Sequence, residues 1–321
     1  MTHQKKILVA GGAGFLGRHL CQKLLAQGHL VVCVDNFSTG STSNVEALRD
    51  YRNFFWRSQD ITLPLEEDVD QIFNLACPAS PKHYQKDPIH TIKTNAIGTL
   101  HLLELARKNR CRFLQASTSE IYGDPEKHPQ QESYYGHVNP IGKRACYDEG
   151  KRIAETLCME YFRCHKVEVR IARIFNTYGP YMHPCDGRVV SNLLMQALTE
   201  KPLTLYGDGL QTRSFCYVED LIEGLILLMN SSLDAQPVNL GNPQEITIVE
   251  LAQKILTMTG SSSPIIYRPM PEDDPKLRQP DITLAKKALL WEPKIPLEVG
   301  LEATTEYFKK SFSEGFNSVT L

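Results

Sequence analysis

Tyr147 and Lys151 stand four residues apart in the phrase YDEGK. On a helix that spacing puts both side chains on one face, a turn apart. A tyrosine with an ordinary pKa of about 10 is a poor base at neutral pH. A neighbouring ammonium favours the phenolate, and the positive charge of a nicotinamide adds to that effect. Such a pair can take the proton of an alcohol whose carbon gives up a hydride. Ser117 and Thr118, just upstream, supply hydroxyls to orient the alcohol. Lys151 can also hold the nicotinamide ribose.

A hydride needs an acceptor, and the N-terminal region offers a place for one. Gly11, Gly14 and Gly17 in GGAGFLG follow an apolar run and open a helical pattern. Glycines allow a tight turn and let backbone N–H groups approach a pyrophosphate at a helix N-terminus. The spacing is GxxGxxG, a variant of the usual GxGxxG. Asp35 closes the next apolar run, about twenty residues on, where a carboxylate accepts from a ribose diol. It would repel a 2′-phosphate, and no arginine follows among residues 36–43. The expected cofactor is therefore NAD, not NADP. Phe15, Leu16, Asn36 and Ala76 count as further cofactor contacts, with Asp60 and Ile61 at the adenine.

The elements that must position these residues alternate. Apolar runs at Ile7–Ala10, Leu30–Val34, Ile72–Ala76 and Phe113–Ala116 are short and bounded by Gly, Asp, Asn or Ser, as buried parallel strands are. Helical stretches at 15–26 and 89–108 lie between them. This predicts an α/β fold with a Rossmann-type doubly wound parallel sheet. Ser117 and Thr118 end its fifth strand, and Tyr147 and Lys151 open a helix running to Phe162. After Ile174 the loops lengthen, at 176–187 and 268–280. Short strands (203–206, 238–240) and helices (189–198, 218–229, 248–258) follow in less regular order. A smaller, irregular α/β substrate domain is expected there. The expected division is 1–175 for the NAD-binding domain, with 214–240 returning to it. Residues 176–213 and 241–312 make the substrate domain, and 313–321 a disordered tail.

With 42% hydrophobic and 22% charged residues, the 321-residue chain reads as soluble and globular. A formal charge of −2 leaves no footprint for nucleic acid or an anionic membrane. An anionic small substrate must therefore be met by local arginines. Nine cysteines are scattered singly with no CxxC pair, so reduced thiols and no metal site are expected. His83, His128, His137 and His183 lack metal spacing. No apolar run is long enough for a bilayer, and residues 1–6 show no apolar h-region. The expectation is a cytoplasmic protein with no membrane or nucleic-acid partner.

Longer phrases add a resemblance. They are CPASPKHY (77–84), STSEIYGDP (117–125), GHVNPIGKRACYDEGKR (136–152), RIFNTYGP (173–180), DGRVVSN (186–192), YGDGLQTRSF (206–215) and DDPKLRQPDI (273–282). With the glycine loop and the Tyr–Lys pair, they resemble the extended short-chain dehydrogenase/reductase family, across nearly the whole chain. That resemblance implies an enzyme that oxidises C4 of a nucleotide sugar and then reworks the 4-keto sugar. A 4-epimerase needs only turnover of the ketone and reduction of the other face. A 4,6-dehydratase carries, in that family, an adjacent Asp-Glu pair to deprotonate C5 and expel the C6 hydroxyl. A decarboxylase starts from a C6 carboxylate, which is β to the new ketone and can leave as carbon dioxide.

Here Ser119-Glu120 occupies the discriminating place. Glu120 resembles the dehydratase and decarboxylase pattern, while Ser119 replaces the acid that would expel a hydroxyl. The resemblance thus implies decarboxylation of UDP-glucuronate to UDP-xylose. A 4-epimerase, a 4,6-dehydratase and a non-catalytic nucleotide-binding member are the alternatives. It assigns Glu120 to C5 protonation through water, Ser119 to the carboxylate or ketone, and Arg278 to the sugar carboxylate. A guanidinium fork suits a planar carboxylate. For the UDP part it implies Arg188 and Arg213 at the phosphates and Asn176 at the diphosphate and sugar. Tyr206 lies at the uracil, Gln211 at the nucleoside ribose and Tyr84 over the sugar. Helical apolar faces at 145–162 and 92–105 suit a homodimer, or burial within one chain.

Overall fold

A computed structural model describes residues 4–270 and 277–313. The expected tail lies outside the described residues from 314 onward. The main sheet holds seven parallel strands: β1 (Lys6–Ala10), β2 (Leu30–Asp35), β3 (Phe54–Ser58), β4 (Gln71–Asn74), β5 (Arg112–Thr118), β6 (Val169–Ile174) and the later edge strand Pro237–Leu240. The first three expected strands agree to within a residue at their starts, because runs buried on both faces are apolar throughout. Strand β4 stops at Asn74, two residues early. There Asn74 Oδ1 accepts from the Ala76 N–H at 3.3 Å and turns the chain out of the ladder.

Helices α1 (Phe15–Ala26), α2 (Thr42–Glu46), α3 (Pro81–Tyr84), α4 (Pro88–Lys93), α5 (Thr99–Asn109) and α6 (Ala145–His165) flank the first half. The single helix expected over 89–108 is interrupted by a π turn, Thr94–Gly98. Asn95 Nδ2 donates to the Thr91 carbonyl at 3.0 Å, and Gly150 of α6 packs against the same side chain. A Cβ on Gly150 would lie 2.9 Å from Asn95 Nδ2, so the glycine permits the two helices to approach. Helix α6 runs past the expected Phe162 to His165, where Lys166 turns left-handed at φ 58°.

The second half adds β7 (Thr177–Tyr178), α7 (Val189–Leu198), β8 (Leu203–Tyr206), β9 (Thr212–Ser214), β10 (Cys216–Tyr217), α8 (Val218–Asn230), β11 (Pro237–Leu240, the sheet edge named above), β12 (Glu245–Thr247), α9 (Ile248–Thr259), β13 (Ile265–Arg268), α10 (Thr283–Leu289) and α11 (Leu297–Ser313). Three two-stranded ladders, β10–β7, β12–β9 and β13–β8, replace a second large sheet. The sheet order is β11-β6-β5-β4-β1-β2-β3, with the direction of winding reversing between β1 and β4. A crevice forms at that reversal, beyond the C-terminal strand ends. One apolar core joins α1 and the sheet to Leu193 on α7, Leu251 on α9 and Phe308 on α11.

Candidate active site

At the reversal a cavity of about 950 Å³ opens between the sheet and the irregular half. Gly11 has φ +78°, and a Cβ there would meet Ala76 N at 2.8 Å. A Cβ on Gly17 would lie 2.1 Å from the Gly11 carbonyl. These close approaches make a bare backbone cradle, walled by Gly14, Phe15 and Leu16 at the start of α1. Asp35 closes β2. Its carboxylate accepts from the Ala13 N–H at 3.0 Å and the Phe37 N–H at 2.8 Å, which ties the cradle to the strand end. Burial pushes its carboxyl up, against the pull of those N–H groups. Farther along, Asn36 donates to Asp60 at 2.7 Å, while Asp60 also accepts from the Thr62 N–H and hydroxyl. Asp60 is thus a turn residue that still faces the cavity, beside Ile61. Backbone cradle, strand-end carboxylate and the wall of Asp60 and Ile61 together fit a dinucleotide. Among the described residues no cluster of His, Cys, Asp and Glu is placed to hold a metal.

Tyr147 and Lys151 meet this cradle from α6, both buried. Lys151 Nζ donates to the Ala116 carbonyl at 2.9 Å and stands 5.8 Å from the Tyr147 ring centre. The protein's own groups do not lower the phenol. Burial, then Cys77, raises it, with hydrogen bonding from Thr118 opposing. Burial also lowers the Lys151 ammonium from its ordinary value. Tyr84 stacks on Tyr147 with ring centres 5.0 Å apart and planes 8° off parallel. Its hydroxyl is buried without a hydrogen-bond partner among the described residues.

The two strand-end hydroxyls separate. Thr118 caps the 3-10 turn Ser119–Tyr122 by accepting from the Glu120 N–H, and its side chain faces Tyr147. Ser117 is committed elsewhere. Its hydroxyl donates to Glu155 at 2.5 Å, a carboxylate already held by Arg173 at 2.8 Å. A charged acceptor captures it, so it does not orient an alcohol.

Glu120, Ser119 and Arg278 form a second centre beside the tyrosine. Arg278 is 2% exposed and comes from the loop before α10. It donates to the carbonyls of Ser119 and Gly123, and lies 3.5 Å from Glu120 Oε2. Arg144 grips the same Oε2 at 2.6 Å. Burial opposes ionisation of Glu120, but Arg278 and Arg144 outweigh it and hold the carboxyl down to about 2. Arg278 is therefore not the solvated surface charge that its acidic sequence neighbours suggest.

The remaining expected residues line the far wall. Arg188 precedes α7 and pairs with Asp186 at 3.1 Å. Asn176, Arg213 and Tyr206 face the same space, and Gln211 donates to the Tyr206 carbonyl at 2.8 Å. Every expected site residue borders the one cavity. Sequence reasoning missed Arg144, which borders the cavity and holds Glu120. Arg144 and Asp148 lie in the phrase GKRACYDEGK, a helical turn apart. Its signal was that spacing, masked by the better-known pair beside it.

Comparison with known proteins gives one picture. Residues 7–241 match the family model described as the NAD dependent epimerase/dehydratase family. A UDP-glucuronic acid decarboxylase 1 of Danio rerio is 55% identical over 98% of this chain and 75% of its own length. A UDP-glucuronic acid decarboxylase 4 of Arabidopsis thaliana is 54% identical over 95% of this chain and 69% of its own. Among solved structures, UDP-glucuronic acid 4-epimerase from Bacillus cereus, in complex with UDP-glucuronic acid and NAD, superposes with a TM-score of 0.86. It is 30% identical, covering 95% of this chain and 99% of that one. The UDP-glucose 4-epimerase of Thermotoga maritima, with UDP-glucose, gives 0.87 at 31% identity, over 96% and 99%.

Proposed function

The chain belongs to the NAD dependent epimerase/dehydratase family, and from that premise we propose that it converts UDP-glucuronate into UDP-xylose and carbon dioxide. The observation that carries this reading is the buried Arg278, set against Ser119 and Glu120 in the cavity that Tyr147 borders. A C4 epimerisation of a neutral sugar has no use for such a centre.

NAD, held by the glycine cradle, Asp35 and Lys151, supplies the acceptor for the C4 hydrogen and its donor at the end. Tyr147 takes the C4 hydroxyl proton, with Thr118 holding the oxygen. The C6 carboxylate is then β to a ketone. Its C–C bond breaks, carbon dioxide departs, and the electron pair enters an enolate. Arg278 aims the carboxylate. To reach it, the guanidinium gives up part of its present grip on Glu120 and the two carbonyls. It must not favour the bound acid over the transition state. Ser119 holds the carboxylate or ketone, and Glu120 passes a proton to C5 through water. Tyr147 returns its own proton to the C4 oxygen. Arg188, Arg213 and Asn176 hold the diphosphate side, Tyr206 and Gln211 the nucleoside, and Tyr84 covers the sugar.

Residues 1–175 and 214–240 act as the cofactor domain, and 176–213 and 241–312 as the nucleotide-sugar domain. The partner is a second copy of the chain. Ile89, Ile92, Ile97, Leu100 and Ile153 are exposed on adjoining α4, π turn, α5 and α6, an apolar face that suits a two-fold homodimer. Nine free thiols favour a reducing cytoplasm. No helix among the described residues is long and apolar enough to cross a membrane.

Incubation with UDP-glucuronate tests the reading. Carbon dioxide and a UDP-pentose are expected. A C4 epimer that keeps its carboxylate, with no gas released, would overturn it. NADH accumulating in step with carbon dioxide would mark an oxidative enzyme that releases its ketone.

A further inference from the structure

The proposed reaction consumes a proton. The substrate enters as a carboxylate, carbon dioxide leaves neutral, and C5 gains a hydrogen. The Tyr147 proton cannot supply it, since that proton returns to the C4 oxygen. Glu120 cannot store it either, because two arginines keep that carboxyl ionised.

A second carboxyl is close enough to feel the charge of Glu120. Asp148 follows Tyr147 on α6, is 7% exposed, and has Oδ1 buried without a hydrogen-bond partner among the described residues. It stands one helical turn from Arg144, whose Nη2 holds Glu120 at 2.6 Å. The charged and titratable groups around it come from several elements. They are Glu120 after β5, Arg144 at the start of α6, Arg278 before α10, Tyr84 on α3, and Cys146 and Glu149 on its own helix. A carboxylate oxygen buried without a donor is costly, which favours the protonated form of this group.

We propose that Asp148 is a positioning residue for C5 protonation, holding the proton that Glu120 delivers. The proposal rests on the decarboxylase reading. When carbon dioxide has left, the Asp148 O–H bond breaks and its proton moves onto Glu120 or the water that Glu120 holds. The enolate electron pair forms the C5–H bond with the proton that Glu120 or its water gives up, and the C4 carbonyl is restored. Asp148, now a carboxylate, regains a proton from solvent before the next turnover. The two carboxyls share one proton, and the arginines decide which holds it at rest. Burial, then the Glu120 charge, pushes Asp148 up to about 7 against the pull of Arg144 and Arg278. The store is full below that value and empties above it.

Single turnovers of the NAD-loaded protein with UDP-glucuronate, followed between pH 6 and 9, test this. Wild type should form UDP-xylose more slowly as pH rises through about 7. Asp148→Asn should release carbon dioxide and form NADH at the wild-type rate, yet make UDP-xylose about a hundredfold more slowly, the low end for a lost general acid. Its profile should be flat, and Asp148→Glu should restore both rate and slope. A D148N protein with the wild-type rate and profile overturns the proposal. So does one that loses NAD and NADH formation together and is not rescued by D148E, since that marks a structural role. If wild type itself releases no carbon dioxide, the decarboxylase reading fails first and this one with it.

Discussion

At the scale of residues the site separates two tasks. In the proposed reaction Tyr147 handles the proton of an alcohol, and the Arg278–Glu120–Ser119 group a carboxylate and the carbon it leaves behind. Tyr147→Phe should lower kcat by about a hundredfold or more, as loss of a general base does, while NAD still co-purifies; retained turnover would remove Tyr147 from the chemistry. Glu120 also leaves a mark on stability. Its folded-state pKa is depressed, so its contribution is present above the unfolded carboxyl value and lost as pH falls through about 2. Urea midpoints of wild type and Glu120→Gln should therefore differ at neutral pH and converge in strong acid. The Tyr–Lys pair was legible in sequence because two residue types at one helical spacing define it. The fate of Ser117 was not, since Glu155 lies 38 positions away. The strength of the arginine clamp on Glu120 was likewise invisible, because Arg144 and Arg278 come from segments far apart in sequence.

Elements set the precision of the site. The parallel strands were readable because burial on both faces demands apolar runs. The π turn within the α4–α5 stretch was not, because one extra residue in a turn leaves the apolar pattern nearly unchanged. That turn brings Asn95 to Cys77, with Nδ2 3.1 Å from the sulfur, and lets α6 carry Tyr147 into the cavity. Gly17→Ala should abolish NAD retention, since its Cβ would lie 2.1 Å from the Gly11 carbonyl; equilibrium dialysis checks this. Far from the chemistry, Thr247 and Glu250 cap α9 reciprocally. Thr247→Ala should cost about 1 kcal/mol of stability without changing kcat, as paired urea melts and rate assays would record.

For the whole molecule, the exposed isoleucines on α4 and α6 predict an assembly state. By light scattering the wild type should give a dimer, and Ile89→Asp with Ile153→Asp a monomer. An unchanged mass would place the apolar face in some other role. The reversal in the sheet carries a further consequence, for the order in which the protein is made. The chain lays down β1, β2 and β3 outward, then crosses back to set β4 on the other side of β1. Gly11 belongs to the first winding, yet the backbone it rests on, Leu75 and Ala76, belongs to the second. An emerging chain of the first three strands therefore has a glycine loop but no finished cradle. Cofactor affinity arises only when the two windings close on each other. A dinucleotide bound there would favour the closed seam by mass action, so NAD should raise the protein's resistance to unfolding.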